Sequence, residues 1–68
     1  MSNKTWKLIS HLSNLLYKYG AETNEIDPLI ERKDDYELYQ YLCGFDTPNE
    51  HTNIIRHEML TVLEQGGC

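Results

Sequence analysis

Residues 4–19, KTWKLISHLSNLLYKY, carry the pattern that most restricts what this chain can become. At a helical period, Leu8, Ile9, Leu12, Leu15, Leu16 and Tyr19 fall within an arc of about 120°. Ser2 or Asn3 can serve as the N-cap, and Gly20 stands where a left-handed residue closes a helix. An amphipathic helix over 4–19 therefore needs cover from the rest of a 68-residue chain. Nothing in that remainder alternates as a strand would, so the cover is helical.

Residues 20–27, GAETNEID, have no period and read as a connection. Asp27-Pro28 then marks a start, with Asp27 as N-cap and Pro28 at the first helical position, where a missing N–H loses nothing. The segment 28–43 buries Leu29, Ile30, Leu38, Tyr39 and Leu42. One bent helix and two short ones both fit this segment; a break would fall at the Lys33-Asp34-Asp35 step, with Asp34 or Asp35 capping the second part and Gly44 closing it. A third helix is expected over 48–65. Thr47-Pro48-Asn49-Glu50 fits a capping box in which Thr47 caps and Glu50 reaches back. Ile55, Met59, Val62 and Leu63 form the apolar stripe of that helix, and Gly66 and Gly67 end it, leaving 66–68 as a flexible tail. The fold class is all-α: a small bundle of three helices, or four if 28–43 breaks near 33–35, around one core.

Size and charge narrow the function. A chain this short buries only roughly 60–65% of its unfolded surface, and its net stability is about 3–10 kcal/mol. It has room for one layer of core side chains and little for a substrate pocket. The formal charge is −5, unevenly spread. Residues 1–19 hold Lys4, Lys7 and Lys18 with no acid, whereas residues 20–37 hold Glu22, Glu25, Asp27, Glu31, Asp34, Asp35 and Glu37 against Arg32 and Lys33. Phosphate backbones repel such a chain, so the charge disfavours nucleic acid and favours a protein partner with a basic surface. No apolar run reaches the length of a secretory core or a membrane span, and Cys43 and Cys68 are the only cysteines. The expectation is a cytoplasmic protein with reduced thiols and no membrane partner.

Catalytic and metal constellations do not assemble from these residues. Cys43, His51, His57 and Cys68 lack the short paired spacing of a structural zinc site, and no cofactor motif is present. Cys43 reads as a small buried hydrophobe, and the histidines as solvent-facing or rim residues. No base-activated nucleophile is evident, so an enzyme is not expected. The segment from Asp35 to Leu60 has the helix, turn, helix outline of a DNA-binding motif, but its second helix opens with Asn49, Glu50 and His51 rather than a cationic set. A helix-turn-helix regulator is therefore the second reading.

The first reading rests on surplus aromatics. Trp6 and Tyr17 project beyond the core arc of the first helix on one side, and Tyr41 stands off the arc of its own helix. Aromatic residues so placed are enriched at interfaces. The candidate partner-binding residues are Trp6, Tyr17, Glu31, Asp34, Asp35 and Tyr41. They fit a non-catalytic adaptor, or an inhibitor that occludes a partner's surface, such as those of phage and mobile elements; a homodimer is open to the same surfaces.

Overall fold

The computed structural model describes residues 2–66, and these form four helices in the order α1 (Asn3–Lys18), α2 (Ile26–Glu31), α3 (Asp35–Cys43) and α4 (Glu50–Gly66). No strand occurs among the described residues. The closest helix approaches run in a circuit: α1 lies on α4 and on α2, and α3 lies on α2 and on α4. The Cα radius of gyration is 10.7 Å, close to the ~11 Å of a compact chain of this length.

The break expected near 33–35 is present, and 28–43 is two helices. Lys33 takes a left-handed φ of 56°. Its N–H donates to the Ile30 carbonyl and the Asp34 N–H to that of Leu29, each at 3.0 Å. The same paired closure ends α1. There Gly20, at φ 101°, donates to Tyr17, and Ala21 donates to Leu16. Both are Schellman closures, but only α1 uses the residue type that adopts the conformation without steric cost. Asp34 then caps α3, its carboxylate accepting from the Glu37 N–H at 3.2 Å. Ser2 caps α1 through the Thr5 N–H.

Two helix starts differ from expectation. α2 begins at Ile26, not Pro28, and Glu25 stands at its cap position without a side-chain cap bond. The Thr23 carbonyl accepts from both Ile26 and Asp27, so the turn tightens before Asp27 is reached. The Asp27 carboxylate accepts instead from the Ser13 hydroxyl at 3.0 Å, which ties α2 to α1. At α4 the capping box is displaced by two residues. Asn49 Oδ1 accepts from the Thr52 N–H at 3.0 Å, and Thr52 Oγ1 accepts from the Asn49 N–H at 3.3 Å. Asparagine outranks threonine as an N-cap, and a reciprocal partner three residues on completes the box. Thr47 and Glu50 take no part in it. The amide nitrogen of Asn49 also donates at 2.9 Å to the carbonyl of Tyr19, the C-cap residue of α1.

The core comprises Trp6, Ile9, Leu16, Ala21, Ile26, Leu38, Leu42, Ile55, Met59 and Leu63. The buried positions of α1 are Trp6, Ile9, Ser13 and Leu16, a spacing of three, four and three. That stripe is rotated from the aliphatic arc, because α1 is covered on two sides, by α4 and by α2. Leu8, expected inside, is 47% exposed, and Trp6, expected at the surface, is 7% exposed. Leu12, Leu15, Leu29, Ile30, Tyr39 and Val62 are half-buried against this core. Ile26 and Ala21 come from a segment read as a plain connection. Cys43 is exposed rather than buried. It lies seven residues from Tyr36, on the face of α3 turned away from Leu38 and Leu42. Gly66 is still helical, and the remainder of the expected tail, Gly67 and Cys68, lies outside the described residues.

Asn49→Ala should cost about 1–2 kcal/mol, since it removes both the cap and the bond to Tyr19. Thr47→Ala should stay within about 0.5 kcal/mol of the parent. Urea denaturation of the two variants checks this, and equal losses would show that Asn49 is not the cap. Lys33→Gly should raise stability by about 0.5–1 kcal/mol, because relief of the left-handed strain exceeds the added freedom of the unfolded chain. An unchanged or lower urea midpoint would contradict a left-handed Lys33.

Candidate functional site

Three open grooves among the described residues separate the residues singled out from the sequence. The first groove runs between α1 and α2. It is lined by Trp6, Ser10 and Ile30 together with Glu31, Lys7 and Lys33. Lys33 Nζ donates across it to Asn3 Oδ1 at 3.2 Å. The structure therefore brings Trp6 and Glu31 to one groove, yet it buries the indole and lines the same groove with Lys7 and Lys33. Tyr17 is elsewhere, 72% exposed on α1, and shares no groove with Trp6.

A second groove lies between α3 and the end of α4, lined by Asp35, Tyr36, Tyr39, Gln40 and Leu63. Asp35 is half-buried there, and its carboxylate accepts from the Tyr36 N–H at 2.8 Å. Tyr36 is 69% exposed between two acids and is a better contact residue than Trp6. Aromatic surplus could have found it, because it sits opposite Leu38 and Leu42 on the helix. The Tyr39 hydroxyl donates to Glu64 Oε1 at 2.7 Å, joining α3 to α4. That bond to a carboxylate holds the Tyr39 phenol above its ordinary value.

The third groove, about 560 Å³, is the largest of these three. Its walls are the turn after α1 and the loop from α3 to α4, and it is lined by Glu22, Asn24, Glu25, Tyr41, Phe45 and Asp46. The Tyr41 and Phe45 rings lie 5.6 Å apart at 43°. Asn24 Nδ2 donates to Glu22 Oε1 at 3.0 Å, which orients that carboxylate. Burial, first, and then the charges of Glu25 and Glu22 push the Tyr41 phenol upward.

Among the described residues, no group of three or more His, Cys, Asp or Glu is arranged to hold a metal ion. His51 and His57 are both exposed. His51 stacks on Tyr19, ring centroids 5.4 Å apart and 12° from parallel, beside the Asn49–Tyr19 bond. Arg56, to which the sequence assigned no role, works inside the fold. One of its terminal nitrogens donates to the Leu42 carbonyl at 3.0 Å and the other to Asn53 Oδ1 at 3.2 Å. A cation thereby meets the C-terminal end of α3, where the helix dipole favours it. No helix among the described residues is long and apolar enough to cross a membrane.

Because the fold holds the Tyr41 proton more tightly than the unfolded chain does, this group contributes stability below pH 10.0. The contribution is lost as pH rises through the raised folded value. Alkaline absorbance titration should show two tyrosines that titrate above pH 10.0, Tyr39 and Tyr41, of which one is lost in Tyr41→Phe. In Glu22→Gln/Glu25→Gln the Tyr41 component should move down while staying raised, since burial remains. A component that does not move would show that the two carboxylates do not act on Tyr41.

Family models, curated proteins and solved structures were each compared with the chain, and none matches it.

Proposed function

We propose that this chain is a non-catalytic protein-binding module, an adaptor or an inhibitor that covers a basic surface on its partner. The observation that carries this reading is the exposure of an acidic lobe. Glu22, Glu25, Glu31 and Glu37 are all exposed on α2, α3 and the turns around them, with Tyr36 among them. The lobe is held against α1 and α4, so the charges are presented on a packed base. Carboxylates of this kind set the rate and register of approach, while exposed aromatics supply contact. The role given to Asp34 is divided, since it also caps α3.

The open grooves support a contact function more than a chemical one. None of the three joins a nucleophile to a base with a third group to orient it. A helix-turn-helix reading gains little: α4 opens on the exposed acid Glu50, and six residues, 44–49, separate it from α3. Localisation in the cytoplasm and an origin in phage or mobile elements belong to the same proposal and rest on size and charge.

Glu31→Lys/Glu37→Lys reverses two exposed charges and leaves the cap residues in place. Captured protein from cells of the source organism should be enriched in basic species with the parent chain. Association of the retained partner should slow by about tenfold in the variant and lose much of its salt dependence. Identical retention and kinetics would remove the acidic lobe from the interface. A salt-sensitive shift of duplex DNA by the parent chain would favour the regulator instead.

A further inference from the structure

The largest groove has features that a generally acidic surface does not. Two rings, Tyr41 and Phe45, line it at 5.6 Å separation. Three acids, Glu22, Glu25 and Asp46, line the same groove, and no Lys or Arg does. The α1–α2 groove, by contrast, mixes Glu31 with Lys7 and Lys33. The two walls come from distant parts of the chain, the turn after α1 and the loop after α3, and each is set by backbone bonds. Gly20 and Ala21 close on α1, and Gly44 and Phe45 donate to the carbonyls of Tyr41 and Leu42. At about 560 Å³ the groove has room for one long side chain and its flanking backbone.

We propose that this groove is the socket for an arginine side chain of the partner protein, with the guanidinium against the Tyr41 and Phe45 rings and its charge met by Glu22, Glu25 and Asp46. The occupant follows from complementarity. A planar, weakly hydrated cation gains from an aromatic face and from carboxylates at its edge, and arginine offers both a face and a fork of donors. Lysine is a compact, strongly hydrated point charge and uses the rings less well. This assignment rests on the protein-binding reading, to which it adds the contact chemistry.

The test is a nitrogen-15 amide titration of the full chain with acetyl-Gly-Arg-Gly-amide at low salt. The same peptide with citrulline, the neutral isostere, is the control. Saturable shifts confined to Glu22, Asn24, Glu25, Gly44, Phe45 and Asp46, absent with citrulline, are expected. The lysine peptide should bind more weakly. Glu25→Gln should weaken the arginine peptide by about fivefold, the size of one exposed charge contact. The amide spectrum of that variant shows directly that it is folded. Shifts centred on residues 31–37, an equal response to citrulline, or no saturation would overturn the socket. The two proposals can fail separately. A basic partner whose binding is lost in Glu31→Lys/Glu37→Lys but unchanged in Glu25→Gln would keep the module and remove the socket. Arginine peptide binding in a chain that retains no partner would keep the cation site and remove the module.

Discussion

The Asn49 side chain faces two helix ends at once. Its oxygen takes the Thr52 N–H and so starts α4, and its nitrogen gives to the Tyr19 carbonyl and so finishes α1. Few side chains can serve both, because the task needs an acceptor and a donor on one short planar group. The helix-end groups so joined have no partners within their own helices. The Tyr19–His51 stack covers the same junction. With α1 and α4 fixed there, their core positions meet: Trp6, Ile9 and Leu16 from one, Ile55, Met59 and Leu63 from the other. α2 and α3 then close against this pair through Ser13–Asp27 and Arg56–Leu42.

Two of these connections use buried hydroxyls in positions that an apolar count passes over. Ser13 and Thr52 are 2% and 0% exposed. Thr52 Oγ1 donates to the Asn49 carbonyl at 2.9 Å while accepting from the Asn49 N–H at 3.3 Å. A buried hydroxyl with both roles filled costs little, and it fixes register where an aliphatic side chain would only fill space.

This explains which parts of the fold were legible from the residues. Helix α1, the fracture at Lys33, the cap at Asp34 and the closure at Gly20 are local, since each depends on bonds within about five residues. The direction of the buried face is not local. Counting Leu8 and omitting Ser13 placed the stripe a quarter turn away from where α2 and α4 together cover it, and Trp6 was misplaced with it. At α4 two overlapping caps were available, and the choice of Asn49 over Thr47 depended on a carbonyl thirty positions earlier in the chain. The candidate site was legible in its charge and in Tyr41. The acid-rich segment could be read directly, but the pairing of Tyr41 with Phe45 and with carboxylates from the far turn needed the fold.

The Asn49–Tyr19 bond has a further consequence. Residues 20–48 leave the scaffold and return to it at nearly one point, because the bond joins the carbonyl just before them to the residue just after. A stretch anchored this way behaves topologically as an insertion between two helices. Its length and surface chemistry can drift without changing the crossing of α1 on α4, provided it still returns an asparagine to the Tyr19 carbonyl. Most of the acids of this chain lie in that stretch. The charge displayed on this lobe can therefore change with the inserted stretch while the two long helices keep their packing.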